Sequence, residues 1–529
     1  MSILSYAHEI SPETVRDRLL LFGLAYFVCY IVYWTGIVIY RLTFHPLAKF
    51  PGPLLCRTSW FYQVYFEAFL SGRMLERLPA LHEKYGPVVR INPGEVHIKD
   101  PVVFHQIYKQ NTKFTKDPVA YTLGVPNAIS MLFDIDEHKK RRETLNPSFS
   151  KRRILLLEDL MYEELEKVMT RAMPYIERKE PLPIQDAFYC FTADVISHFT
   201  FGQSIDLISQ PNFARERVEQ LRSFTNSIWI LIHFGFIHKI VSALPRRIAA
   251  IANEGYQMIV WFCEGLAKDA VERHKYSDGK LKSLGEETIF DRLLVGNTNS
   301  EEDDEKVPRR KQAPKMGAQQ IADESVGLLM AGTETTATML AYGIYFFMTF
   351  SETQVKIMEE LATVQKNESG RLPIQQIEAL PYFTGFVKET LRYAHGVPGR
   401  LTRVVPEGGL YVPSINDYIP EGYVVGMSHM MIHNDPEIFE APNEFKPERW
   451  IGEEGKRLDH WLLTFSKGSR NCLGMNLAYT EMHLMLANVF TRFDLSLVPG
   501  SHEDMVWLDR AIVRNKGNLK VMAKVKSQK

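Results

Sequence analysis

The stretch Phe465-Ser466-Lys467-Gly468-Ser469-Arg470-Asn471-Cys472-Leu473-Gly474 sets one cysteine on a glycine-containing loop, directly before an amphipathic segment read as a helix from about Cys472 to Phe490. A helix N-terminus, a nearby arginine and a metal all favour thiolate over thiol, so Cys472 has a chemical reason to be anionic and to ligate a metal. A lone cysteine is ordinarily a small buried hydrophobe. The weight here lies in the joint pattern F-x-x-G-x-R-x-C-x-G, whose five fixed positions would coincide by chance in on the order of 1 in 10,000 chains of this length.

With those five positions the segment resembles the cysteine loop of the cytochrome P-450 superfamily. The resemblance implies Cys472 as axial ligand of heme b (iron protoporphyrin IX), a thiolate that pushes electron density toward O–O cleavage. Gly468 is then expected to let the backbone approach macrocycle and sulfur, Phe465 to shield the sulfur from water, and Arg470 to pair with a haem propionate.

A second element lies in ADESVGLLMAGTETTATMLAYGIYFFMTF, which is apolar nearly all round and predicts a buried helix from about Ala318 to Phe350. Within it, Ala331-Gly332-Thr333-Glu334-Thr335-Thr336 puts an acid beside an alcohol, which packing explains poorly, and resembles the family's oxygen-activating motif. Gly332 next to a hydroxyl is expected to loosen the helix into a groove. The resemblance makes Thr335 the hydroxyl that delivers protons to dioxygen and Glu334 the relay from solvent.

Glu389-Thr390-Leu391-Arg392 pairs acid and base at i and i+3, by itself only surface support. With Arg449 of Phe445-Lys446-Pro447-Glu448-Arg449-Trp450 it matches the family's Glu-Arg-Arg network, a structural lock. His138 and Arg142 stand one helical turn apart, and Arg403 follows in GVPGRLTRVVPEGG. The resemblance makes Arg142, Arg403 and Arg470 the neutralising set for two propionates. His138 departs from the family pattern, standing where many members have tryptophan, and is expected as a further propionate donor.

Composition agrees with a large globular enzyme: 529 residues, 45% hydrophobic, and a net charge of -1 that provides no global field for nucleic acid. Five cysteines without a C-x-x-C pair suggest neither a disulfide framework nor structural zinc. Leu19 to Tyr40 is free of charge and, as a helix, spans about 33 Å, enough for one transmembrane anchor. Aromatic residues Tyr26, Tyr30, Tyr33, Trp34 and Tyr40, with Arg41, Lys49 and Arg57 beyond the span, place the following domain on the cytoplasmic side. The expected organisation is a lumenal segment (1–18), the anchor (19–40), a proline-rich hinge (41–53) and a monooxygenase domain (54–529).

The expected class is mainly α with small β-sheets (α+β). Residues 89–105 read as strands around a Pro-Gly turn, 136–275 as helices broken at Pro147, Pro174, Pro181, Pro183, Pro211 and Pro245, 296–315 as an exposed loop and 396–450 as strands and turns. Three motifs are set aside. Gly327 and Gly332 have phosphate-loop spacing but Thr333 stands where its lysine is needed; His429 and His433 sit in a segment read as extended, not helical, so no zinc is assigned; Asn367-Glu368-Ser369 is a glycosylation sequon on a cytosolic domain.

No dinucleotide fingerprint follows a predicted strand, so electrons must come from another protein. The resemblance implies NADPH used through NADPH-cytochrome P-450 reductase, with cytochrome b5 as an additional candidate, O2 and a lipophilic substrate, at the endoplasmic reticulum membrane and in contact with its lipid. FSKGSRNCLGMNLAY, RLTRVVP and the H-x-x-x-H before FKPERW resemble fungal trichodiene-oxygenase-like enzymes of secondary metabolism, which implies a terpenoid or related metabolite. A haem-thiolate isomerase or dehydratase, or a haem binder without turnover, are the other classes, against which Glu334 and Thr335 argue. Val119, Tyr121, Leu123, Trp229, Phe234, Val397, Leu401 and Trp507 are expected as neutral pocket walls, and Arg400 is the one nearby residue able to hold a carboxylate.

Overall fold

The apolar start of the chain folds as one uninterrupted helix, Pro12–Thr43. Its stretch Arg16–Thr43 is long and apolar enough to cross a membrane, and its most apolar part is not buried against the rest of the chain. The computed structural model describes residues 12–121, 124–226, 228–244, 254–275, 287–295 and 316–526. The expected loop 296–315, Leu123 and Pro245 lie outside the described residues.

The start of the expected hinge is helical, since the first helix continues through Thr43. Its end is tied to the domain: Arg41 Nη1 donates to the Thr58 carbonyl at 2.5 Å, and Arg90 Nη1 donates to the Arg41 carbonyl at 2.8 Å. Pro51-Gly52-Pro53 is pressed onto the first strand. The Arg90 amide donates to the Pro51 carbonyl at 2.7 Å, and a Cβ on Gly52 would stand 2.3 Å from the Arg90 carbonyl oxygen.

That strand, Val88–Asn92, opens a five-stranded sheet whose spatial order continues Glu95–Ile98, Val424–Gly426, Arg403–Val404, Thr115–Lys116. The Pro93-Gly94 turn therefore joins strands as expected, but the strand reading fails beyond Ile98. Pro101–Ile107 is a helix, opened by the Asp100 carboxylate accepting from the Val102 and Val103 amides with Pro101 at its first turn. Pro174 likewise ends nothing, since it lies inside Glu158–Glu177.

The mainly helical half is built around Ala318–Thr349, 32 residues, against which Ile184–Phe201 and Met475–Arg492 pack. Two glycines set the closeness of these approaches. A Cβ on Gly332 would come within 2.7 Å of the Ile196 side chain, and one on Gly343 within 2.9 Å of Leu486. Helix Pro381–Ala394 carries Glu389 and Arg392 into the core; Glu389 pairs with Arg392 at 2.8 Å and Arg449 at 3.1 Å, and accepts from Trp450 Nε1 at 2.9 Å. The pair at i and i+3 is thus a buried lock and not surface support.

His429–His433 forms one helical turn, not an extended segment. The two histidines are nonetheless occupied with backbone: His429 Nε2 contacts the His395 carbonyl at 2.8 Å, and His433 Nε2 accepts from the Leu463 amide at 2.9 Å. No group of three or more metal-ligating side chains forms among the described residues.

Candidate active site

The cysteine loop is closed by its own backbone. Gly468–Arg470 makes a tight turn, the Asn471 amide donates to the Gly468 carbonyl at 3.2 Å, and the Cys472 amide donates to the Phe465 carbonyl at 2.8 Å. Gly468 has φ +73°, and a Cβ there would meet the Lys109 carbonyl oxygen at 2.4 Å. Its missing side chain therefore serves a left-handed turn seated on the Tyr108–Lys109 backbone, a different reason from approach to a macrocycle. Gly474 caps the following helix, Met475–Arg492.

Cys472 opens into an internal cavity of about 270 Å³. Phe465, Gly332 and Thr335 line the same cavity, as do His138, Arg142 and Arg470. Arg403 is not in its wall. The Arg403 guanidinium lies over the Tyr108 ring at 5.1 Å and donates to the Thr402 carbonyl at 2.8 Å.

Arg142 has a different task from the expected one. It donates to the Asn471 carbonyl at 2.7 Å, the Asn471 side-chain oxygen at 2.8 Å and Asn146 at 2.7 Å, so it holds the residue before the cysteine rather than a free anion. Lys116, which the sequence reading passed over, joins the cationic edge, donating to the Ser130 carbonyl at 2.6 Å. Arg470 donates to the Leu132 carbonyl at 2.5 Å.

Among the described residues Lys116, Arg403 and Arg470 form no ion pair; their hydrogen bonds go to neutral oxygens, and Lys116 also lies over the Tyr121 ring at 4.3 Å. Burial first, then Arg403 and Arg470, push the Lys116 ammonium well below its ordinary range. Burial and Arg403 bring Arg470 down to about 10, and burial with Arg470 brings His138 down to about 3, which leaves that imidazole neutral. Burial pushes the Cys472 thiol up, against the Gly474 amide and Arg142, and a bound metal cation would favour the thiolate. A planar group with a central cation and two carboxylates at one edge fits both ends of this cavity: the cation meets the sulfur and the carboxylates meet the unpaired cations. Haem has that chemistry.

The long helix runs unbroken past Gly332, so the expected loosening takes a milder form. Thr333 Oγ1 and Thr335 Oγ1 donate back to the Leu329 and Ala331 carbonyls at 2.6 and 2.7 Å, the arrangement that bends helices. Glu334 points to the other side. It accepts from Arg222 Nε at 3.0 Å, and Arg222 Nη1 continues to Asn518 at 2.5 Å. Asn518 in turn donates to Glu219 at 3.2 Å, so a polar chain leads from Glu334 toward solvent. Arg222 carries no sequence signal of its own, because its partner lies 112 residues away. Glu324 was missed in the same way: it binds Arg141 Nη1 at 2.5 Å and the Ile129 amide at 3.0 Å, joining the helix that bears His138 and Arg142 to the long helix.

A second cavity, of about 370 Å³, shares Ser130, Gly327, Ala331 and Thr335 with the first. Its remaining wall is largely apolar and includes Leu207, Leu221, Ile259, Phe262, Leu329 and Ile512. Val397 is in that wall, whereas Tyr121, Trp229, Phe234, Leu401 and Trp507 are not, and Val119 is exposed at the surface. Trp229 is buried with its Nε1 on the Asp509 carbonyl, and Trp507 packs against His395. The wall is not neutral, since Arg217 and Arg510 lie in it with Glu334. Arg400 is not available to any ligand: it is buried in ion pairs with Glu67 and, at 2.9 Å, with Glu95.

Residues 52–523 match the family described as Cytochrome P450. The chain belongs to the cytochrome P450 family. It is 32% identical to the cytochrome P450 monooxygenase BOT1 of Botryotinia fuckeliana, over 93% of this chain and 94% of that protein. The cytochrome P450 monooxygenase macH of Penicillium terrestre is 31% identical over 94% and 96% of the two chains, and TRI4 of Fusarium sporotrichioides is 32% identical over 90% and 89%. As a P450 monooxygenase the chain is an oxidoreductase, and membership implies a haem-thiolate centre, dioxygen and a redox partner.

Proposed function

We propose that this P450 inserts one atom of O2 into a lipophilic small molecule, a terpenoid or related fungal secondary metabolite, with electrons passed from NADPH by NADPH-cytochrome P-450 reductase and, in some turnovers, by cytochrome b5. The observation that carries the reading is the shared wall: the apolar cavity and the cysteine cavity meet at Ala331 and Thr335. A substrate held by apolar contact in the first therefore has its reacting carbon beside the second. Haem, when bound by Cys472, supplies an iron centre that activates dioxygen.

The chain's own residues bind and manage protons. Phe465 keeps water from the sulfur, Arg470 and Lys116 hold the carboxylate edge, and Arg403 adds positive potential behind them. The Thr335 hydroxyl, now resting on the Ala331 carbonyl, rotates to offer its proton toward the shared wall; the Glu334 carboxylate, released from its pairing with Arg222, takes a proton from solvent water and returns it to Thr335. The first helix serves as a single-pass anchor in the endoplasmic reticulum membrane and its lipid, with the catalytic domain on the cytoplasmic side.

The test is reconstitution of the full-length protein with the flavoprotein reductase under 18O2, using metabolites extracted from a strain lacking this gene. One 18O atom in a product that requires NADPH and Cys472 is expected, together with a thiolate-type carbon-monoxide spectrum lost in Cys472→Ser. An isomerised or dehydrated product formed without oxygen consumption overturns the proposal.

A further inference from the structure

The chamber wall contains a cation that the fold leaves unused. Trp507–Asp509 and Val513–Asn515 form a two-stranded hairpin whose tip is Arg510-Ala511-Ile512. Ala511 stands at φ +64°, a conformation unfavourable for a residue with a Cβ, and is held there by its amide donating to the Asp509 carboxyl at 2.9 Å. This strained tip places both Arg510 and Ile512 in the wall of the 370 Å³ chamber.

Arg510 also lines a second, polar hollow in which Arg215, Arg222, Arg514, Lys516 and Lys520 outnumber Glu219 and Asp504. It thus stands at the junction between an apolar chamber and a basic vestibule. Its Nε is buried without a hydrogen-bond partner, and its one hydrogen bond among the described residues is a long contact of Nη1 with the Asn226 carbonyl at 3.4 Å. Two arginines nearby are engaged, Arg222 with Glu334 and Asn518, and Arg514 with the Arg222 carbonyl at 2.6 Å and Asn226 Oδ1 at 2.7 Å, while Arg217, in the same wall, and Arg215 are exposed to solvent. The neighbouring Asp509 is a weakened counter-ion, because burial and Glu67 push its carboxyl up to about 8.

The enclosed Nε shows that the fold does not satisfy this guanidinium, and the two Nη nitrogens, one with only the long contact and the other with no hydrogen-bond partner among the described residues, present two donors spaced for a planar carboxylate. A lysine would present only a point charge there. We infer that Arg510 binds a carboxylate on the substrate, so that the preferred substrate is an amphipathic acid whose apolar body fills the chamber up to Thr335. This deepens the proposed function, narrowing a lipophilic small molecule to a lipophilic carboxylic acid, and it rests on that reading for the chamber's role.

The test uses farnesoic acid and its methyl ester, which share an apolar body and differ in the charge. Calorimetric titration of the haem-loaded full-length protein in detergent micelles, without reductase, gives both affinities independently of turnover. The acid is expected to bind about 10- to 100-fold more tightly than the ester. In Arg510→Gln the preference falls to about twofold or less while the ester affinity stays within about threefold, and Arg510→Lys gives an intermediate preference. Equal affinity of acid and ester in the unmodified protein, no binding of either, or a preference unchanged in both variants overturns the assignment. Oxygen incorporation with reductase, measured separately, decides the monooxygenase reading, so the two fail by different results.

Discussion

Replacing Gly468 by alanine separates the mechanical role of the cysteine loop from its chemistry. The new methyl carries two costs. A left-handed backbone at φ +73° costs a residue with a Cβ about 1–2 kcal/mol, and a methyl 2.4 Å from the Lys109 carbonyl oxygen forces the loop or the Tyr108–Lys109 backbone to move, which costs about 1–3 kcal/mol more. The displaced backbone is rigid peptide and not a flexible side-chain tip, so about 2–5 kcal/mol is the expected loss. Because the Gly468 carbonyl holds the Asn471 amide, and Asn471 is gripped by Arg142, the movement reaches Cys472. Gly265→Ala, inside helix Glu254–Lys275 and away from the cysteine cavity, is the control. No protein atom outside its neighbours lies within 4 Å of the new Cβ, and alanine in a helix is expected to cost nothing. Both variants are purified in detergent, and the haem-to-protein absorbance ratio and the urea midpoint are measured. Loss of haem and stability in Gly468→Ala alone is expected. Equal haem loading and midpoints in Gly468→Ala and the unmodified protein, or equal damage in both variants, refutes the reasoning.

Glu389→Ala leaves Arg392 and Arg449 buried without their carboxylate, and urea unfolding should show a loss of about 3–5 kcal/mol; a loss below about 1 kcal/mol contradicts the lock. Glu324 sets a pH signature, because burial, opposed by Arg141, raises its carboxyl to about 7 from an ordinary 4.5. Between those values the folded chain binds the proton that the unfolded chain has released, so the stabilisation is complete below about pH 4.5 and is lost as pH rises through 7. Relative to Glu324→Gln, the unmodified protein should therefore lose up to ~3 kcal/mol between pH 4.5 and 8, read from urea midpoints; an offset that does not change with pH contradicts it.

What could be read before folding was local in sequence. The cysteine loop, the long helix and the Glu389–Arg392 turn each declare themselves within ten to thirty residues, and their periodicity places them correctly. What could not be read depends on distant partners. Arg400 looked like a free ligand anchor because Glu67 and Glu95 lie 333 and 305 residues away. Arg510 was passed over because its availability is a lack of partners, which no window of sequence displays. The helix at Pro101 was missed for a different reason: Asp100 and Pro101 carried the start signal, but Val102, Val103 and Phe104 suggested a strand. Proximity along the chain does not reveal the chamber walls, because they are assembled from a helix face, a hairpin tip and several loops.

The partition formed by Ser130, Gly327, Ala331 and Thr335 limits how this enzyme can acquire new chemistry. A substitution there is felt in both compartments, so a gain in substrate fit is charged against cofactor seating. The outer wall, with Leu221, Ile259, Phe262 and Ile512, belongs to the substrate chamber alone and can vary without that conflict. Divergent descendants of this chain are therefore free to differ at the outer wall while the septum stays put. A laboratory library follows the same asymmetry: randomising the outer positions samples selectivity among haem-loaded proteins, whereas randomising the septum mainly sorts proteins by whether they retain the cofactor.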